Sequence, residues 1–324
     1  MTALTRALAF SAIVLLAGAT HASAQSYPTK PVRVIVPFGA GGPADVYARV
    51  LAQHLQDSLK QNFVVENRPG AGAFIGTEAV AKSAPDGYTL LLMSNTHTTN
   101  ESLRPERPYD LMRDFVPISP INESDVMMVV NPKVGVKNLK EFIALAKSKP
   151  GQLNYASSGP GTPYHMAAEL FKAMSGTNMV HVPHKTSGDM RTSVLGGHVQ
   201  MMFDAITVLA PNVRGGKVVA LGTSGKTRSP VMPEIPTIAE AGVPGYESTI
   251  WLGLMAPAKT PRAVVDTLNA EIRKIMARPD VKAAWAKQGA NPLSMSPAEF
   301  DKYVRGDIAK WAKVVSMAGL APKK

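Results

Sequence analysis

The sequence predicts an α/β protein of two lobes, each a sheet flanked by helices. Three observations lead to this reading. Short apolar runs of strand length alternate with amphipathic helical stretches, the pattern of parallel strand–helix–strand units. One unit of strand, glycine-rich turn and helix occurs twice, once around Gly41 and once around Gly161. The chain has 324 residues, 45% of them hydrophobic and 18% charged, which suits two ordinary cores and is too polar for a multi-span membrane protein.

The first elements are read in chain order. Arg6, the apolar stretch Ala7 to Ala19 and the small-residue site Ala22-Ser23-Ala24 read as an export signal over residues 1–24. The first strand is Val32–Val36, and Pro43 opens a helix whose stripe is Val46, Val50, Leu51, Leu55 and Leu59. Strand Phe63–Glu66, a loop from Asn67 to Ala73, helix Ile75–Ser83 and strand Tyr88–Met93 follow. The polar run Ser94 to Asn100 reads as a cleft-lining loop. Val116–Val130 reads as a crossover ending in the apolar strand Val126–Val130.

A second lobe is expected from there. It comprises helix Leu139–Lys149, strand Asn154–Ala156, helix Pro163–Ser175, and strands Met179–Pro183, Val199–Phe203 and Val218–Thr223. The chain crosses back near Glu247–Gly253. A long helix follows with Val264, Val265, Leu268, Ile272 and Ile275 inward. Ser296-Pro297-Ala298-Glu299 is a capping box opening a last helix with the stripe Phe300, Val304, Ile308, Trp311 and Val315. No strand is expected between these helices, which are expected to pack on the first lobe. The lobes are thus drawn at residues 25–125 with 250–324, and at 126–249.

Composition narrows the function. There is no cysteine, which excludes disulfides, thiolate metal sites and thiol nucleophiles. The net charge of +11 comes from dispersed Lys and Arg without an aromatic-interleaved stripe, so no nucleic-acid partner is expected. His165, His181, His184 and His198 fall in one region but lack metal-ligand spacing, so neither a metal nor another cofactor is expected.

The two glycine turns carry the chemistry. Such turns offer main-chain N–H groups at a helix N-terminus, where the helix dipole favours an anion. The candidate ligand-binding residues are therefore Phe38, Gly39, Ala40, Gly41, Gly42 and Asp45 in the first turn. Ser157, Ser158, Gly159, Gly161, Thr162 and His165 are their counterparts in the second. Ser94 and Thr96 after a strand, Lys185, Thr186 and Ser187 before a short helix, and Asp204 at a strand end complete the set.

Alternatives compete for these residues. Gly39-Ala40-Gly41-Gly42-Pro43-Ala44 fits a dinucleotide fingerprint, with Glu66 as the ribose acid, but an exported protein meets little free dinucleotide. No G-x-S-x-G elbow occurs, although a secreted serine hydrolase using Ser158 and His165 is an alternative. A ligand sensor serving a signalling partner is another.

The mature chain resembles the tripartite tricarboxylate transporter substrate-binding receptors, the Bug-type periplasmic solute-binding proteins. The resemblance rests on Tyr27-Pro28, Pro31-Val32-Arg33, Val36-Pro37-Phe38 with Ala40-Gly41-Gly42, Asp45 and Ala48-Arg49, and Val65 to Gly72. Pro85 to Leu90, Tyr155 to Gly159 with Gly161-Thr162 and His165, and Pro233 to Thr237 with Glu240 and Gly242 extend it. It implies a type II periplasmic-binding-protein fold, the Venus flytrap. It further implies a periplasmic receptor that captures a small carboxylate, an aliphatic dicarboxylate or an aromatic acid, for membrane components of a tripartite transporter. In that family the loops matching Phe38–Gly42 and Ser157–Thr162 hold one carboxylate, partly through ordered waters. The segment Thr186-Ser187-Gly188-Asp189 departs from the glycine run and proline common in relatives, which makes it a candidate contact for the distal end of a ligand. No catalysis is implied, and a monomer is expected.

Overall fold

The computed structural model describes residues 27–322, so the expected export signal lies outside the described residues. The first lobe opens with β1 (Val32–Val36), α1 (Pro43–Leu59), β2 (Phe63–Asn67), α2 (Phe74–Ala81) and β3 (Thr89–Ser94). Helices α3 (Asn95–Leu103) and α4 (Leu111–Asp114) lead into the long strand β4 (Phe115–Val130). The second lobe holds α5 (Leu139–Ser148), β5 (Asn154–Ser157), α6 (Pro163–Ser175), β6 (Val180–Pro183), α7 (Ser187–Leu195), β7 (Met201–Ala205), α8 (Ile206–Arg214) and β8 (Val219–Thr223). Strand β9 (Thr249–Pro257) returns to the first lobe, followed by α9 (Arg262–Ala277), α10 (Pro279–Lys287), β10 (Ala290–Pro292) and α11 (Pro297–Met317).

Strand directions place the turns. β1 runs parallel to β2 and β3, β3 antiparallel to β9, and β9 antiparallel to β4. β4 therefore runs with β1 and β3 and leaves the first lobe at their carboxyl ends. In the second lobe β7 and β8 run antiparallel to β4, and β5 and β6 parallel to β7. Their carboxyl ends point back toward the first lobe. The turns after β1, β3, β5, β6 and β7 thus face one another across the strand crossing, the usual location of sites in α/β sheets.

β4 joins the lobes. Phe115 to Asp125 pair with β9, whereas Val126 to Val130 lie between β7 and β8. Its register with β9 slips at Pro117/Ser119 and Pro120/Asn122. Proline has no N–H for the ladder, and a bulge is how a strand accommodates it.

Both faces of the first sheet are buried, with the period of two that strands impose. Val32, Val34, Leu90 and Leu92 pack with Leu51 and Leu55 of α1 and Leu268 and Ile272 of α9. Ile35, Leu91 and Met93 face the other way, onto Trp251, Phe300 and Val304. The second lobe gathers Met127 to Val130, Tyr155, Phe171 and Phe203.

Three expectations are corrected. Ser94 to Asn100 is not a loop: Ser94 caps α3, and the run is buried because this polar helix packs on α11, with Thr98 bonded to Asp307, and on β9, with Asn95 bonded to the Thr249 carbonyl. A strand does separate the C-terminal helices, since β10 pairs with β4 at Asn122 to Ser124. The last helix also does not rest on the first lobe alone. Its start, capped by Ser296 and Glu299, buries Phe300 and Val304 there, whereas Trp311, Val314 and Val315 join the core of the second lobe. At 1.5 Å per residue, about 30 Å of helix reaches both cores. Helices α8 and α10 are not evident from the sequence: each spans nine residues, and Pro211 interrupts the helical pattern of α8.

Candidate functional site

The first turn is shaped from below. Gly41 adopts φ +74°, a backbone conformation that favours glycine, and its N–H donates to Asp45 Oδ2 at 2.9 Å. The other Asp45 oxygen meets the Arg49 guanidinium at 2.9 Å. Arg49 also donates to Asn67 Oδ1 at 3.0 Å, and Asn67 Nδ2 donates to the Phe38 carbonyl at 3.2 Å. Phe38 and Gly41 are thereby tied to one buttress. Burial pushes the Asp45 carboxyl up, but Arg49, the Gly41 N–H and Asn67 outweigh it and hold it below the usual carboxylate value. Above the buttress Gly39, Ala40 and Gly41 are exposed, and a Cβ on Gly39 or Gly41 would meet nothing within 4 Å.

The second turn has a matching construction. Gly159 and Gly161 adopt φ +122° and +76°. The Gly159 N–H donates to Ser157 Oγ at 3.1 Å, and the Gly161 N–H to His165 Nδ1 at 3.1 Å. The Thr162 hydroxyl closes the turn on the Gly159 carbonyl at 2.7 Å.

These bonds correct one expectation. The N–H groups of Gly41, Gly159 and Gly161 are already used within their turns. Among the described residues, the N–H groups of Gly42, Ala44 and Ser158 have no hydrogen-bond partner and remain available to a ligand.

Helix α3 is a wall common to both turns. The Phe38 ring stands edge-on to His97, with centroids 6.0 Å apart. On the other side a Cβ on Gly161 would lie 2.8 Å from Leu103 Cδ2 and 3.3 Å from Asn100 Oδ1, so the two lobes approach closely here, at a φ of +76° that favours glycine. Ser94 Oγ accepts from the Thr96 N–H, and His97 Nδ1 accepts from the Ser94 N–H at 3.1 Å. The opposite ring nitrogen meets Thr77 Oγ1 at 3.0 Å. Thr96 Oγ1 and Asn95 Oδ1 are buried without a partner among the described residues.

Burial lowers the His97 pKa to about 4 against the pull of the Ser94 carbonyl, so the ring is neutral at neutral pH. The unfolded chain takes a proton near pH 6.5, which the native ring refuses. Its stabilising contribution is thus whole above about pH 6.5 and is lost as the pH falls toward about 4. In an NMR titration the His97 ring signals should stay constant from about pH 8 to about pH 5, whereas a free imidazole titrates near 6.5. Titration near 6.5 would contradict the assigned acceptor role.

The remaining candidates lie around the second turn. The His184 N–H donates to the Ser157 carbonyl, which brings Lys185, Thr186 and Ser187 beside that turn. Thr186 caps α7: its hydroxyl accepts the Asp189 N–H at 3.1 Å and donates to the Asp189 carboxylate at 2.8 Å. Lys185 is exposed and Ser187 half-buried. Asp204 is buried, taking Arg191 at 2.9 Å and the Ala205 N–H at 2.8 Å. Burial raises its pKa against the pull of Arg191. Asp204 is thus paired with Arg191, which nothing in the sequence pattern singles out.

Ser158 and His165 share no hydrogen bond; the serine that reaches an imidazole is Ser157, at 2.6 Å from His181 Nε2. Among the described residues, no three His, Cys, Asp or Glu side chains gather as a metal site. The structure thus presents two main-chain turns with uncommitted N–H donors, converging on one helix, an arrangement suited to holding an anion.

The family model described as the tripartite tricarboxylate transporter family receptor matches residues 47–320. Protein BugT of Bordetella pertussis is 39% identical over 320 residues, 98% of each chain. The structure of R. palustris Rpa4515 with adipate superposes with a TM-score of 0.86 at 34% identity, covering 92% of this chain and 100% of that one. MatC from Rhodopseudomonas palustris with bound malate gives 0.81 at 31% identity, covering 89% and 100%. With its sequence matched almost end to end and its two-lobed fold shared, the chain belongs to the tripartite tricarboxylate transporter receptor family, the Bug-type periplasmic solute-binding proteins.

Proposed function

We propose that this receptor captures a small carboxylate, foremost an aliphatic dicarboxylate, between its lobes and presents it to the membrane components of a tripartite tricarboxylate-type transporter. The observation that carries the reading is the pair of strand–glycine turn–helix sites, one per lobe, meeting on α3 with N–H groups of Gly42, Ala44 and Ser158 uncommitted. The adipate and malate held by the two relatives support that ligand class. Charge-assisted hydrogen bonds are about twice as strong as neutral ones, and closure of the lobes would exclude water around them.

In this reading one carboxylate lies between the turns Phe38–Gly42 and Ser157–Thr162. The distal end points toward Lys185, Ser187 and the Arg191–Asp204 pair. The lobes comprise residues 25–125 with 250–324, and 126–249, hinged where β4 exchanges β9 for β7 and β8. The protein acts in the periplasm as a monomer, without catalysis, exported by residues 1–24. No helix among the described residues is long and apolar enough to cross a membrane.

Calorimetry of the mature protein with adipate, malate, succinate and benzoate tests the reading. Micromolar or tighter binding of at least one of these acids is expected. No binding of any at millimolar concentration would overturn it.

A further inference from the structure

Beneath the second turn lies a buried polar cluster that ligand contact alone does not explain. His165 is 2% exposed, and its ring stacks on His181 with centroids 4.1 Å apart. His181 in turn stacks on Tyr155 at 4.9 Å. The Tyr155 hydroxyl donates to Glu169 Oε1, and Lys172 Nζ reaches the same oxygen at 2.7 Å. His165 Nε2 stands 4.0 Å from it. The cluster meets the turn at two points: Gly161 N–H to His165 Nδ1, and Gly159 N–H to Ser157 Oγ, which is bonded to His181 Nε2.

The main chain settles the His165 tautomer. A peptide N–H can only donate, so Nδ1 must carry a lone pair, and the proton sits on Nε2 facing Glu169. Protonating the ring would set an N–H against the Gly161 N–H and break the anchor. We propose that His165, stacked on His181, is a positioning residue for the carboxylate turn, which it holds in its binding shape only while its ring is neutral, so that acid loosens the turn and weakens ligand binding. The proposal rests on the functional reading above.

The surroundings favour the neutral pair at neutral pH. Burial is the main cause, lowering His165 to about 4 and His181 to about 3. The charged and titratable groups facing the stack are Glu169 and Lys172 from α6, Tyr155 from β5 and His184 at the end of β6. Glu169 is the one carboxylate among them, and the Lys172 ammonium and the Tyr155 hydroxyl already engage it. A proton on one ring opposes a proton on the other at this separation. A bound carboxylate attracts protons, but it acts from the outer side of the turn, whereas the lost Gly161 bond acts on the turn itself.

Asparagine can place its side-chain oxygen near the position of Nδ1, whereas leucine offers no acceptor. The experiment compares wild type, His165→Asn and His165→Leu by calorimetry with adipate and malate, and by hydrogen exchange at the Gly161 amide without ligand. Melting curves at the same pH report which variants fold. At about pH 7.5, His165→Leu should weaken binding about tenfold and speed Gly161 exchange, whereas His165→Asn should stay close to wild type in both. Between about pH 6 and about pH 4 the affinity of wild type should fall more steeply than that of His165→Asn, a comparison in which protonation of the ligand itself cancels.

Equal Gly161 exchange in all three proteins, or equal pH slopes in wild type and His165→Asn, would overturn the proposal. Should His165→Leu fail to fold, the wild-type and His165→Asn slopes decide alone. A Gly161 amide that responds as expected in a protein binding none of the acids would uphold the anchor and reject the functional reading.

Discussion

Replacing Gly42 by aspartate should abolish carboxylate binding and leave the protein as stable as before, or slightly more so. Gly42 is the N-cap of α1, with φ −79° and ψ 167°, a conformation open to any residue. A Cβ there would come no nearer than 3.4 Å to the Gly39 carbonyl. Aspartate is among the best N-cap residues, and its gain over glycine is a few tenths of a kcal/mol, about 1 at most. Its carboxylate would accept the N–H groups at the start of α1, the donors proposed for the ligand. The chain would then supply its own anion, tethered at high effective concentration. Affinity for adipate or malate should fall by more than about tenfold in calorimetry, with an unchanged or raised melting temperature. Gly42→Ala removes no N–H and should bind nearly as wild type. Unchanged affinity in Gly42→Asp would move the anion site elsewhere.

The largest stability effect is expected at Trp311. This side chain is 1% exposed and belongs to the second-lobe core, although it stands on a helix that begins in the first lobe. Trp311→Ala should cost about 3–5 kcal/mol, the usual range for emptying a buried aromatic site. For a chain of this size that lowers the melting temperature by roughly 5–8 °C. The loss should fall on the coupling between lobes, because Phe300 and Val304 still hold the other end of α11. Calorimetric unfolding should therefore broaden or split as well as shift. A shift of less than about 2 °C would mean that the helix is not shared in this way.

Much of this was legible beforehand for a simple reason. Apolar periodicity reports which face an element buries, and glycine with proline marks where a strand turns into a helix. Thus β1, β5, α1, α6 and the capping box at Ser296 were readable from neighbours in the chain. The run Ser94 to Asn100 reads as a loop because its residues favour loops locally, whereas packing on α11 and β9 and the caps from Ser94 and His97 make it helical. Arg191 went unnoticed because its partner, Asp204, lies on a different element.

Local pattern alone determined the two-lobed α/β class and the positions of both glycine turns. Only the folded chain decided which N–H groups those turns keep free. The donors at Gly41, Gly159 and Gly161 are claimed by Asp45, Ser157 and His165. It also decided that α3 walls both turns and that α11 belongs to both cores. The shared helices depend on contacts between residues far apart in sequence, which no spacing rule encodes, and the claimed donors on side-chain directions that a residue pattern does not fix.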